Sequence, residues 1–161
     1  MRGIIALLLV AAMCVPAFAD TIVNNGPNIY VPDYRMQKIH QDPAGDIYGV
    51  RGSLRRMGDF IEIWARVVPK DNSQKTLDSW NRENIAITPD TAYAQIKLHI
   101  YCGSGTAAIP AAYMLDSYSQ IIASKVVMMD DVFSIRDKPV LSALKKLACS
   151  GSISRLSDGR D

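Results

Sequence analysis

The side chains that most often do chemistry are sparse in this 161-residue chain. It has two histidines, His40 and His99, and three cysteines. No cysteine–histidine spacing is typical of a zinc site, and no serine stands in a Gly-x-Ser-x-Gly elbow with a recognisable base and acid. The sequence therefore predicts no metal, no cofactor and no catalytic residue, and it favours a protein that is not an enzyme.

Two shorter motifs have a structural interpretation. Gly103-Ser104-Gly105 resembles a phosphate-binding loop, but it links two predicted strands and no helix follows it, so it predicts a hairpin turn. Asp130-Asp131 offers two carboxylates, which point to opposite sides of an extended chain and so form no acid–base pair. An enzyme or small-molecule carrier with an unrecognised site stays open as an alternative.

The overall composition is that of an ordinary globular domain. The chain has 48% hydrophobic and 21% charged residues, with 18 Lys+Arg against 16 Asp+Glu. A formal charge of +2 is too small to indicate nucleic-acid binding, which normally needs a strong basic excess. One domain is expected at this length.

The first 19 residues have the pattern of a secretory signal peptide. Arg2 precedes an apolar run from Ile4 to Met13, and Ala17-Phe18-Ala19 supplies the small residues for cleavage before Asp20. The run is about half the ~20 residues needed to span a membrane. Cys14 lacks the small preceding residue of a lipidation site. We therefore expect a protein without a membrane span, exported to the periplasm or beyond.

Export gives the two remaining cysteines a structural interpretation. Cys102 and Cys149 form an even pair in an oxidising compartment, which predicts one disulfide bond. Closing a loop of this length stabilises a domain by roughly 4 kcal/mol in the chain-entropy model. Two free thiols are the alternative.

The two ends of the exported chain lack the pattern of regular structure. Residues 20–45 are rich in Pro, Gly and Asn and predict an extended N-terminal arm, with one short strand around Asn28–Val31. Residues 150–161 predict a flexible tail. The folded body is expected at residues 46–149.

Hydrophobic alternation dominates that body. Ile61, Ile63, Ala65 and Val67 alternate with polar and aromatic residues, as do Ala94, Ile96, Leu98 and Ile100. A hairpin is expected between 51–56 and the first of these strands, and further strands at 106–115 and 120–128. Pro110 indicates an edge position or a bulge. Short connections favour an antiparallel meander of about five or six strands.

The last element has helical spacing. Pro139 suits the first turn of a helix, Leu141, Leu144 and Ala148 share one face, and Gly151 follows its end. Cys102 shares the buried face of its strand, so a Cys102–Cys149 bond would hold this helix against that face. The expected fold is α+β, a single antiparallel sheet with a C-terminal α-helix packed on one face and tied by a disulfide.

The opposite face of the two central strands combines aromatic and charged residues, a composition typical of partner-binding or dimer surfaces. Cover by the N-terminal arm (Ile29, Tyr30, Val31 or Tyr34) and ordinary strand decoration are the alternatives. The expected partner-binding residues are Phe60, Trp64, Arg66, Tyr93, His99 and Tyr101.

Residues 46–149 resemble the surface-adhesin protein E family. The resemblance lies in residues 52–59, with their serine-led strand and basic turn, and in the strand 61–67 with its central Trp64. It continues in the strand that ends at Cys102 and the helix that ends at Cys149. It implies the same sheet, helix and disulfide.

The resemblance also implies a function. A bacterial surface member of the family binds host vitronectin and laminin, so an adhesin-like module that recognises a host extracellular-matrix protein is expected. Its lipidation signal has no counterpart at Cys14, and none of its ligand-binding residues is matched here. A protein of the bacterial envelope is the other partner expected, and an accessory subunit of an envelope complex or a homodimer is the alternative assembly.

Overall fold

The structure is a computed structural model, and it describes residues 35–127 and 131–151. These residues form eight strands and two helices, with the following bounds. They are β1 (Met36–Asp42), β2 (Gly45–Val50), β3 (Arg55–Met57), β4 (Phe60–Pro69), α1 (Gln74–Arg82), β5 (Tyr93–Tyr101), β6 (Thr106–Leu115), β7 (Ile121–Val126), β8 (Phe133–Ser134) and α2 (Pro139–Cys149).

The strands form one antiparallel sheet in the order β1-β2-β4-β5-β6-β7. β3 pairs with β4, and β8 pairs with β6. The expected α+β fold is confirmed, with more strands than the five or six expected. β3 and β8 have three and two residues, which is too short for hydrophobic alternation to reveal.

The hairpin expected before β4 is present. Met57 pairs with Phe60, so Gly58 and Asp59 alone form the turn. Gly58 has a φ of 61°, a left-handed conformation that the first position of a two-residue hairpin often requires and that glycine adopts without strain.

β1 was not expected from the sequence. It lies inside residues 20–45, which were expected to form an extended arm. Its register shifts between Lys38 and His40, and this bulge interrupts the alternation that would have predicted a strand. Gly45 begins the next strand with a φ of 149°, and a Cβ atom there would lie 2.2 Å from the carbonyl oxygen of Val68. The signal peptide and the strand expected at 28–31 lie outside the described residues, as do residues 152–161 of the tail.

Pro110 lies at an irregularity of β6. Of the edge position and the bulge that the sequence indicated for it, the structure has the bulge. The register between β5 and β6 shifts between Lys97 and His99, opposite Pro110. On the other side of β6, β7 pairs from Ala111 onward and β8 pairs at 106–107. Because a proline cannot donate to a sheet ladder, it is accommodated at a bulge.

One face of the sheet, the inner face, forms the hydrophobic core together with both helices. The buried aliphatic residues of β4 and β5 belong to the same cluster as Leu141 and Leu144 of α2 and Trp80 of α1. Cys102 and Cys149 are bonded, with their Cα atoms 5.8 Å apart. The predicted disulfide and the predicted position of α2 are therefore confirmed.

Helix α1 was not predicted from the sequence. It begins after the N-cap Ser73, whose hydroxyl accepts a hydrogen bond from the Thr76 N–H. Leu77 and Trp80 are buried, and the Trp80 Nε1 donates to the Ala44 carbonyl oxygen at 3.1 Å. The helix thereby joins the β1–β2 turn to the core.

The two helices cap each other. The carboxylate of Glu83, at the C-terminal end of α1, accepts hydrogen bonds from the N–H groups of Val140 (3.3 Å) and Leu141 (3.1 Å). In return, the Lys138 ammonium donates to the Arg82 carbonyl oxygen and to Asn84 Oδ1. Each pair complements the partial charge of a helix end. With 9 and 11 residues, the helices of the described ranges are too short to cross a bilayer.

Candidate functional site

The candidate site is the other face of the sheet, which we call the outer face. It carries the alternate residues of β4 and β5 that point away from the helices. Register places Phe60 opposite Tyr101, Glu62 opposite His99 and Trp64 opposite Lys97. Arg66 is opposite Gln95, and Tyr93 follows on the same face. The sequence prediction thus assigned all six partner-binding candidates to the correct face.

One end of the outer face is an aromatic cluster. The rings of Phe60 and His99 are stacked, with centroids 4.4 Å apart. Phe60 also contacts the ring of Tyr101 at 5.3 Å in a tilted arrangement. Cross-strand aromatic pairs of this kind stabilise a sheet and hold each ring in one orientation.

A charge network continues from this cluster. Glu62 Oε2 lies 3.1 Å from His99 Nε2 and 3.3 Å from the Lys97 ammonium. The Lys97 ammonium also lies 5.3 Å from the centre of the Trp64 ring. The side chains of Glu62 and His99 are only 14% and 12% exposed, so this network is stronger than an exposed ion pair.

The other end of the outer face is a second cation–π pair. The Arg66 guanidinium carbon lies 4.4 Å from the centre of the Tyr93 ring, which is the geometry of a stacked guanidinium. Aromatic rings and cations therefore alternate along the whole length of β4 and β5.

Trp64 is the buried centre of the outer face. It is 6% exposed and forms a small cluster with Val50 and Ala111, against which Met36 and Tyr113 pack. Its backbone N–H donates to the hydroxyl of Ser53, which itself donates to the Val50 carbonyl oxygen. Trp64, one of the six partner-binding candidates, is therefore a buried support for its neighbours on this face.

Gln95 is the least satisfied group of the outer face. Its side chain is fully buried (0% exposed), and neither its amide nitrogen nor its amide oxygen has a hydrogen-bond partner. Arg66 and Tyr113 are its neighbours in the register of the adjacent strands. A buried amide without partners costs roughly 1–3 kcal/mol, so its presence needs an explanation.

Two exposed ionisable groups away from this centre have shifted pKa values. A hydrogen bond to the Asp46 carboxylate raises the pKa of Lys38, whose ammonium lies 2.7 Å from Asp46 Oδ2 at the β1 edge. Side-chain hydrogen bonds from Ser73 and Thr76 lower the pKa of Asp71 to about 2. Lys38 joins β1 to β2, and Asp71 holds the start of α1, so the two groups form no common site.

Sequence reasoning missed one important residue of this face, Tyr113. Its ring stacks on Trp64 with the centroids 6.3 Å apart. The bulge at Pro110 shifts the parity of β6, so alternation could not assign Tyr113 to a face. The arm residues expected as an alternative cover lie outside the described residues.

Two clefts lie elsewhere in the described part of the chain. One, of about 80 Å³, lies between α1 and the start of α2, beside Glu83. The other, of about 190 Å³, is bounded by Asn81, Lys125 and Phe133. Both are smaller than the roughly 300–1,000 Å³ of typical small-molecule sites. Among the described residues, no group of three or more His, Cys, Asp or Glu side chains could hold a metal ion.

No protein-family model, curated protein or solved structure significantly matches this chain.

Proposed function

We propose that this protein is an exported, non-enzymatic module that binds another protein through the outer face of its sheet. The observation that carries the proposal is the concentration of aromatic contacts on this face, which join Phe60 to His99, Lys97 to Trp64 and Arg66 to Tyr93. Aromatic residues and arginine are the types enriched at the energetically important positions of protein interfaces.

The rigidity of these contacts supports binding. Stacking, cation–π contact and the Glu62 network hold the side chains in place before any partner arrives. A partner would then lose little additional side-chain entropy on the side of this chain, which is the main benefit of preorganisation.

The core of the domain does not require this arrangement. The inner face and the two helices already bury a large aliphatic cluster, and the disulfide ties α2 to the sheet. Aromatic and charged residues on the outer face therefore have a role other than filling that core.

The partner class follows from the sequence resemblance to surface-adhesin protein E. We propose an extracellular-matrix protein as the partner and export through the predicted signal peptide as the route. A disulfide bond is consistent with that route.

The test is binding of the purified protein to immobilised vitronectin and laminin, followed by biolayer interferometry. We expect saturable binding to at least one of them, lost by tenfold or more in the double variant Phe60→Ala/Tyr101→Ala. The matched control is Tyr118→Ala, an aromatic residue that is 83% exposed in the β6–β7 turn. Binding to neither protein, or equal weakening by the control, would contradict the proposal.

A further inference from the structure

The exposed aliphatic residues of this chain are concentrated at one edge of the sheet. Of the six large hydrophobic residues that are exposed among residues 35–127 and 131–151, five lie between positions 118 and 132. Three of them belong to the edge strand β7. These are Ile121, Ile122 and Val126, and the last is 65% exposed.

The backbone of β7 also has unpaired groups. The N–H of Val127 donates to the Pro110 carbonyl oxygen, so the N–H and C=O groups of that residue point toward β6. In a strand these directions alternate, and the corresponding groups of Ser124 and Val126 therefore point away from the sheet. No strand of the described residues pairs with this side of β7.

The opposite edge of the sheet is protected. β1 carries Lys38, His40 and Asp42, has a bulge between Lys38 and His40, and is contacted by α2. Charges, bulges and covering elements are the usual devices that prevent edge-to-edge pairing. β7 has one charged residue, Lys125, and its bulge lies at Ile122, so that the strand is regular from Ala123 to Val126.

We propose that β7 pairs antiparallel with β7 of a second copy of this chain, which would join two sheets into one. A two-fold axis at Ser124 pairs Ser124 with itself and brings Ile122, the residue at the bulge, beside Val126 of the second copy. Within the regular stretch it places Lys125 opposite Ala123 of the other copy, so that no two charges face each other. An axis at Lys125 would instead oppose two ammonium groups, which is unfavourable.

The area of this contact determines its strength. Six residues at about 3.4 Å each give a strand of about 20 Å, which corresponds to a contact strip of roughly 300 Å² per copy. A stable dimer buries about 800 Å² per partner, so β7 alone supports a weak and reversible dimer.

The proposed pairing of the two β7 strands can be tested by introducing one positive and one negative charge that would lie together across the two-fold axis. Sedimentation equilibrium of the full processed protein, from about 10 μM to about 1 mM, covers the affinities expected of such a small interface. We expect a monomer–dimer equilibrium that Ile122→Lys and Val126→Asp each weaken at least tenfold. The combined variant should recover it, because each introduced charge would face its opposite across the axis.

Cysteine cross-linking provides a second measurement. Residues of a hydrogen-bonded antiparallel pair have Cα atoms about 5.5 Å apart, which a disulfide can bridge. Ser124→Cys should therefore form a covalent dimer on mild oxidation, whereas the neighbouring control Lys125→Cys should not. Thermal unfolding of each variant checks that the fold is retained.

Three outcomes would overturn the proposal. They are a wild-type protein that stays monomeric at the highest concentration, a combined variant no better than the single ones, and cross-linking that is equal at positions 124 and 125. None of these bears on the outer face, so this pairing fails or stands separately from the proposed binding function.

Discussion

The two faces of the sheet differ in how their residues are stabilised. On the inner face, Ile63 and Leu98 are almost fully buried in an aliphatic cluster that both helices cover. On the outer face, the neighbouring residues Glu62 and Lys97 form a network of charges and rings. The comparison teaches that adjacent residues of one strand can be held in different ways, by aliphatic packing on one face and by ion pairs and ring contacts on the other.

The largest expected effect on stability is the loss of the disulfide bond on the inner face. Replacing both cysteines, by Cys102→Ser and Cys149→Ser together, should lower the free energy of unfolding by roughly 4 kcal/mol, because the unfolded chain gains the entropy of an open loop. Urea denaturation of the variant against oxidised wild type measures this. A loss below about 1 kcal/mol would show that α2 is held by packing alone.

The next effect compares the two faces on one strand. Leu98→Ala should destabilise the protein by about 3 kcal/mol, since it removes a fully buried side chain and leaves a cavity. Lys97→Ala, one residue away on the outer face, should cost about 1 kcal/mol or less. Equal losses in urea denaturation would refute this difference between the two faces.

The mutual capping of the helices should contribute less. Glu83→Ala removes the acceptor for the Val140 and Leu141 N–H groups and should cost about 2 kcal/mol. Glu83→Gln keeps one carbonyl acceptor in the same place and should cost about half as much. A thermal shift series of the two variants checks this order, which a purely steric role of Glu83 would abolish.

On the outer face, a substitution at Gln95 should raise the free energy of unfolding instead of lowering it. Gln95→Met replaces a buried, unpartnered amide by an apolar side chain of similar length and should raise the stability by about 1 kcal/mol. Gln120→Met, at an exposed position, is the control and should change nothing. If Gln95→Met destabilises the protein in urea, the amide has a structural role after all.

The smallest effect is a pH dependence at the start of α1. The Asp71 carboxylate has its pKa lowered to about 2 from 3.8, so it stabilises the folded state above pH 3.8, and this contribution disappears as the pH falls toward 2. The difference in urea midpoint between wild type and Asp71→Asn should therefore shrink between about pH 5 and about pH 2.

Much of the fold could be predicted because its signals are local. Alternation assigned the faces of β4 and β5, and helical spacing with Pro139 located α2. The bond between Cys102 and Cys149 followed from parity and compartment. By contrast, β1 and α1 were not predicted. A bulge interrupts the alternation of β1, and α1 has only two large apolar residues, which is too few to show helical spacing.

The candidate site was predictable only as a set of residues on one face. Register in the folded sheet decided that His99 shares Glu62 with Lys97, and that Tyr113 stacks on Trp64. It also decided that Trp64 is buried and that Gln95 lacks partners. The position of Tyr113 depends on the third strand, β6, where Pro110 indicated an irregularity but no single-strand pattern gives the register.

The sequence by itself determined which residues alternate, where the last helix begins and which cysteines can pair, because each depends on neighbours a few positions apart or on composition. Only the tertiary structure decided that Glu83 caps a helix 57 residues later, and that β7 lies at the edge of the sheet that residues 35–127 and 131–151 form. The physical reason is that such contacts arise when packing brings distant segments together, and the local pattern of neither segment contains the other.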